Sequence, residues 1–363
     1  MNDQADALLA YCRSGFEADL AAELIEKADA AGFPGWCRAV TGSGYVTLHP
    51  AEPAAAERVW QTLRWTQLVF ARQWLLRLAE CRELPDTDRA TPLARVVAGH
   101  VRRVSELRLE YPDTEAGKPM SRFCRAFRGS FTRALARQGV TVAPGHAPSL
   151  HAFFLHSGHA HLALGAPGNS APWPLGIPRL RLPRTAPSRS TLKLDEALQT
   201  FLGESERAAW LAAGTHAVDL GAAPGGWSWQ LSRRGIHVTA VDNGPMDPDL
   251  LGDGLVTHLR EDGFRFRPPR PVDWLVCDIV EQPHRIARLM GQWLARGDAR
   301  RAVFNLKLPM KRRWLAVRDA LAETARLAAA GGHPVELRCK QLYHDREEVT
   351  ACALPSSAAA SRP

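Results

Sequence analysis

The segment Asp219-Leu-Gly-Ala-Ala-Pro-Gly-Gly-Trp227 follows an apolar run, His216 to Leu220, and leads into a helix-forming stretch. Small residues at such a turn let backbone N–H groups approach an anionic group at the helix start. Asp242 closes the next apolar run 23 residues after Asp219, where a carboxylate can accept both hydroxyls of a ribose. A bare tight turn needs the glycines but not the spaced acid, so the pattern favours a nucleoside-bearing ligand. It is not G-x-G-x-x-G, which argues against a dinucleotide.

Proton chemistry is suggested by a scarcity. Of 46 basic residues only Lys27, Lys118, Lys193, Lys307, Lys311 and Lys340 are lysine. A chain that uses Arg wherever positive charge suffices marks its few lysines, because Lys can lose its proton when its pKa falls and Arg cannot. The formal net charge of +8 hints at an acidic partner. Between Ala116 and Leu194 there is no Asp or Glu, while two Lys and nine Arg occur. Arg122, Arg125, Arg128, Arg133 and Arg137 would share one broad face of a helix. A solvated face explains one such helix equally well, but the length of the acid-free stretch favours phosphate binding.

The elements that must position these residues follow from periodicity. Strands are expected at 8–13, 44–49 and 70–78, with amphipathic helices at 17–31 and 54–64, a ferredoxin-like split βαβ module spanning 1–78. A second α+β module, 79–165, has a helix near 92–103, a strand at 106–111, the arginine-rich helix at 119–138, and strands at 151–155 and 159–164. A proline-rich linker is expected over 166–186. From 187 to 355, strands near 216–220, 236–242, 274–278, 301–307 and 335–341 alternate with helices, including one from 311 to 330. This is the pattern of a Rossmann-like, doubly wound α/β domain. The Ala/Ser tail after Leu354 is expected to fray.

The Ala-Pro-Gly-Gly-Trp turn after a D-x-G strand resembles motif I of the FtsJ-like RNA ribose 2′-O-methyltransferases. The resemblance implies S-adenosylmethionine as cofactor and a Lys-Asp-Lys-Glu tetrad. Ser190-Thr-Leu-Lys193 resembles the first lysine motif, Asp278 ends its strand as the tetrad Asp does, and Lys307 in Phe-Asn-Leu-Lys-Leu-Pro resembles the second lysine. Arg346-Glu-Glu348-Val resembles the terminal motif; Glu347 is a rival, and Glu348 keeps the spacing to Val349. Further strings, such as Val241-Asp-Asn-Gly-Pro-Met246 and Gln341-Leu-Tyr-His-Asp-Arg-Glu-Glu-Val349, resemble a branch of the family that methylates a cytidine ribose in 23S ribosomal RNA. For 79–165 that branch implies a THUMP-like RNA-binding module.

The implied roles are specific. Lys307 would accept the proton of the 2′-hydroxyl, with Lys193 as the neighbouring cation that lowers its pKa. Asp278 and Glu348 would orient the amines and bind the target ribose. Cofactor contacts would come from Ser190, Ala223, Pro224, Gly225, Gly226, Asp242, Asp262 and Asp278, with Asp262 at the adenine amino group. The expected partner is 23S rRNA or its precursor, met by a monomer.

Other classes fit less well. A nicotinamide oxidoreductase is disfavoured by the turn and the two spaced lysines. A cytosine C5 methylase needs a nucleophilic Cys, but Cys277 sits in an apolar strand. An amino-group methylase would want Pro-Pro and an aromatic after Asp278, where Ile279-Val-Glu stands. A non-catalytic RNA-binding protein would show an eroded tetrad. No apolar run reaches the roughly 18 residues of a membrane span. Seven scattered cysteines without C-x-x-C point away from zinc knuckles and disulfide frameworks, and toward the cytoplasm. The acidic start, Met-Asn-Asp-Gln-Ala-Asp, predicts no signal peptide. None of the thirteen histidines shows metal-ligand spacing, so no metal is expected. His156, His159 and His161 read as surface or RNA-facing.

Overall fold

The computed structural model describes residues 5–252 and 254–356. The first four residues of the acidic start and the last seven of the Ala/Ser tail lie outside them. The chain divides into two units, Met1–Pro178 and Arg179–Pro363. No described helix is long and apolar enough to cross a membrane.

In the first unit, β1 (Ala7–Tyr11), α1 (Glu17–Ala30), β2 (Gly35–Ala39), β3 (Tyr45–Pro50), α2 (Ala56–Thr62) and β4 (Gln73–Cys81) come first. They are followed by α3 (Ala90–His100), β5 (Arg103–Val104), β6 (Leu107–Glu110), α4 (Met120–Arg137), β7 (Thr141–Val142), β8 (Ser149–His156) and β9 (His159–Gly165). The antiparallel order β2-β3-β1-β4 is the ferredoxin-like arrangement, and β9, β8 and β6 extend the same sheet from β4. Sequence periodicity splits this region into separate modules at 78/79; β4 runs through that point and joins both in one sheet. The α4 helix buries Cys124, Phe131, Ala134 and Leu135, and leaves all five of its arginines exposed.

The expected linker is structured in its first half. Ala171 and Ile177 are buried, and Arg108 donates to the carbonyls of Ala171, Pro172 and Trp173 at 2.9–3.1 Å. Proline richness here marks backbone held by a buried guanidinium rather than a free tether. His161 departs from the surface reading as well: it is 2% exposed, because it lies inside the sheet opposite β4 rather than at its rim.

The second unit holds α5 (Thr191–Phe201), α6 (Glu204–Trp210), β10 (His216–Leu220), α7 (Gly226–Ser232), β11 (His237–Val241), α8 (Pro248–Leu251) and β12 (Val256–Leu259). Then come β13 (Val272–Cys277), α9 (Pro283–Ala295), β14 (Ala299–Lys307), α10 (Arg313–Ala330), β15 (Val335–Lys340) and β16 (Glu348–Pro355). The sheet order is β12-β11-β10-β13-β14-β16-β15. The sheet is parallel from β12 to β14, but β16 is antiparallel to both its neighbours. Its core includes Phe201, Trp227, Leu231, Val238, Trp274 and Val303.

Candidate active site

Strand order reverses between β10 and β13, the point at which open α/β sheets form a crevice beyond their strand ends. Gly221 and Asp278 follow those two strands directly. Gly221 has φ +75°, and a Cβ there would meet the Ile279 side chain at 2.7 Å, so the turn demands glycine. A Cβ on Gly226 would collide with the Ser190 and Ser188 hydroxyls. The bare backbone lets the 188–190 segment lie against the start of α7, where Trp227 Nε1 donates to the Ser190 carbonyl at 3.0 Å. That seating delivers α5 and its Lys193 to the crevice.

The resulting cavity, about 360 Å³, is lined by Ser188, Ser190, Lys193, Asp219, Ala223, Pro224, Trp227, Asp278 and Lys307 among others. That size suits a small-molecule site. Asp219 Oδ1 is buried without a partner, while Oδ2 accepts from Ser228 at 2.7 Å. An unfilled acceptor beside a glycine-lined cradle fits a ligand that brings donors, as an adenosyl amino acid does. Asp242 accepts from Ala223 N at 3.0 Å and Gly244 N at 2.7 Å, one hydrogen bond from the lining. Asp262 is exposed and caps its own turn through Phe264 N. Gly263 beside it packs against Leu220 and Ile279, at the crevice end of the sheet. Gly225 has φ +116°, and a Cβ there would meet the Leu250 side chain at 2.4 Å, so this part of the turn also demands glycine.

Four residues from four elements or their ends converge here. Lys193 Nζ lies 2.5 Å from Glu348 Oε1 and 3.3 Å from Asp278 Oδ2. Lys307 Nζ lies 2.6 Å from Asp278 Oδ1 and also donates to Glu348 Oε2. Each carboxylate thus bridges both amines. Glu347 is exposed and pairs with Arg313 at 2.9 Å, so Glu348 is the acid at the cluster. Desolvation raises the Asp278 carboxyl, but Lys307 and Lys193 outweigh it and hold it below its ordinary value.

Lys307 sits among opposing influences. Desolvation lowers its pKa, but Asp278 and Glu348 overcome this and leave it raised. In this arrangement the two contacting carboxylates favour the charged amine.

Sequence reasoning missed the layer behind. Asn305 Nδ2 donates to Asp278 Oδ1 at 2.8 Å, and Thr350 Oγ1 donates to Asn305 Oδ1 at 2.7 Å. Thr350 Oγ1 also lies 3.1 Å from both Asp345 carboxyl oxygens. A hydroxyl has one proton, so a protonated Asp345 would let both contacts form, and burial raises the Asp345 pKa well above the usual carboxylate value. Glu196, one helical turn after Lys193, accepts from Tyr343 N and His344 N at 2.7 and 3.0 Å. It ties α5 to the loop that leads to Glu348. Only the turn spacing 193/196 signals this in the sequence.

Fold and site together define an FtsJ-like methyltransferase, and residues 186–291 match the FtsJ-like methyltransferase model. Residues 5–75 match the RlmM ferredoxin-like domain, and residues 88–166 the N-terminal domain of ribosomal RNA large subunit methyltransferase M. The protein of that name from Azoarcus sp. (strain BH72) is 52% identical over 346 residues, covering 95% of this chain and 94% of that one. The one from Methylococcus capsulatus is 53% identical over 344 residues, covering 95% and 97%. The one from Stenotrophomonas maltophilia (strain K279a) is 48% identical over 360 residues, covering 98% and 99%. The chain belongs to the ribosomal RNA large subunit methyltransferase M family.

Proposed function

We propose that this protein methylates the 2′-hydroxyl of a cytidine ribose in 23S ribosomal RNA or its precursor, through Lys193, Asp278, Lys307 and Glu348. The observation that carries the reading is the cluster of two lysines bridged by two carboxylates on the wall of the nucleoside-sized cavity. S-adenosylmethionine, when bound, supplies an electrophilic methyl group on a sulfonium. Ser190, Ala223 to Gly226, Asp242 and Asp262 are the residues that would hold it.

A ribose hydroxyl is a poor nucleophile and needs both placement and a proton acceptor. Asp278 and Glu348 fix the Lys307 amine in one orientation, and Lys193 occupies their remaining oxygens. Lys307 takes the proton from the hydroxyl in the fraction of molecules whose amine is neutral. The exposed arginines of α4 provide a phosphate-binding face. All seven cysteines are free thiols, in keeping with a reducing compartment such as the cytoplasm.

The test is transfer of labelled methyl from S-adenosylmethionine to large-subunit RNA, followed by nuclease mapping. A label on a cytidine ribose supports the reading; a label on a base, or none, overturns it.

A further inference from the structure

His159-Ala160-His161 lies on β9, and residues two apart on a strand share a face. The strand opposite is β4, where the pairing shifts register between Arg77 and Ala79. Without the extra residue, Leu78, Glu80 would stand opposite Ala160. With it, Glu80 stands opposite His161. Bulges of this kind re-aim side chains, and here the result is a carboxylate on the same face as two imidazoles. One ligand atom from each of Glu80, His159 and His161 lies within 4.8 Å of the other two.

The second observation is at His161. It is 2% exposed, and neither ring nitrogen has a hydrogen-bond partner. One face of the ring packs near Tyr45, centroids 5.4 Å apart. A buried imidazole with two idle nitrogens is rare, since buried polar groups are nearly always paired. The sequence offered no such cluster, because the third ligand comes from a strand 79 residues away in the chain.

We propose that Glu80, His159 and His161 bind a divalent transition metal ion of the zinc class, with a water in the fourth position. Two imidazoles and a carboxylate form a borderline donor set, which suits zinc over magnesium or calcium. The ion would clip β4 to β9, the seam where the ferredoxin-like strands meet the strands that follow. His159 Nε2 meets Glu80 at 2.9 Å, and Arg82 holds the same carboxylate at 2.8–3.0 Å. Arg77 lies 3.7 Å from its other oxygen but is itself held by Asp6 at 2.8 Å. The Arg82 side chain is 56% exposed, so an ion can displace it into solvent without stranding a buried charge.

The experiment uses the tag-free full-length protein stripped with a chelator, titrated with zinc in a calorimeter and with cobalt(II) in a spectrometer. One equivalent should bind, with visible cobalt bands of a tetrahedral nitrogen–oxygen site and no thiolate charge-transfer band. Loss of a direct ligand should cost more than the roughly 10–100-fold that loss of a supporting partner costs. His159→Ala, Glu80→Gln and His161→Asn should each weaken binding at least that far, while Arg82→Ala should tighten it. Glu80→Gln and Arg82→Ala sit at a partly exposed edge and guard against loss of fold. No binding by wild type, thiolate bands, or binding unchanged by Glu80→Gln and His159→Ala would each overturn the proposal.

Discussion

Lys307 stands directly opposite Glu348 across the antiparallel pair β14–β16, and its amine donates to that carboxylate while also meeting Asp278. The one antiparallel strand in an otherwise parallel run therefore has a chemical purpose. It brings a residue from the far end of the chain into register with the last residue of β14. The same pairing brings Glu348 to the amine, where it joins Asp278 in favouring the protonated form.

If Lys307 is the proton acceptor, its reactive form is the neutral amine, a minor species below its raised pKa. Single-turnover methyl transfer should then climb about tenfold per pH unit from pH 7 toward 9. A rate flat over that range would show that the charged amine acts by electrostatics alone.

Lys307→Arg keeps the charge but cannot give up its proton. It should lose nearly all methyl transfer while calorimetry shows cofactor affinity barely changed, a defect confined to the transition state. Substantial transfer by the Arg variant would remove the general-base role.

The layer behind Asp278 should matter in proportion to its hydrogen bonds. Asn305→Ala takes one donor from Asp278 and one of the acceptors of the Thr350 hydroxyl. An unmade buried hydrogen bond costs about 1–3 kcal/mol, so turnover should fall roughly tenfold to a hundredfold. The drop should appear in kcat rather than in KM for RNA. A KM effect alone would mean that Asn305 serves binding.

What could be read beforehand divides by range. The turn at 219–227, the strands flanking it and the lysine positions were legible because each is a local pattern. Helix α9 shows apolar residues at Ile286, Leu289, Met290, Trp293 and Leu294, a period open to the same method. The four-residue β12 offers too few positions for alternation to register. Non-local facts were out of reach: the antiparallel sense of β16, the fusion of both N-terminal modules through β4, and the charge of Lys307. Asp278 and Glu348 could be named from their motifs, but how closely each approaches the amine is set by the strand pairing, so the sequence marked the residue but not its protonation.

Asp242→Ala should weaken S-adenosylmethionine binding. The carboxylate accepts from the Ala223 amide and is the acid proposed above for the ribose hydroxyls, and charge-assisted hydrogen bonds are worth on the order of 2–3 kcal/mol. Calorimetry with unchanged affinity would take Asp242 out of the cofactor site.

Asp219 should leave its mark on stability. Burial pushes its carboxyl up to about 7, opposed by the Ser228 hydroxyl and reinforced by Asp278 and Asp242. The unfolded chain releases that proton near pH 4, so between the two values the folded state binds more protons and stability falls as pH rises. Asp219→Asn retains an acceptor for Ser228 and removes the ionisation. Its advantage over wild type in denaturant unfolding should be near zero at pH 4 and grow to on the order of a few kcal/mol by pH 8. Parallel pH curves for the two proteins would mean that Asp219 ionises freely in the fold.

The arginine face of α4 can be tested apart from the chemistry. Arg128 donates to the Leu107 carbonyl at 2.9 Å, so replacing it would disturb the fold as well as the charge. Arg122 and Arg125 are exposed one turn apart and are the cleaner choice. Each phosphate left without its arginine should reduce the slope of log affinity against log salt by about one. Arg122→Glu with Arg125→Glu should therefore weaken binding to large-subunit RNA and flatten that slope by about two, while cofactor affinity stays unchanged. A slope equal to wild type would show that these arginines are solvated surface, and the RNA would have to dock on another part of the chain.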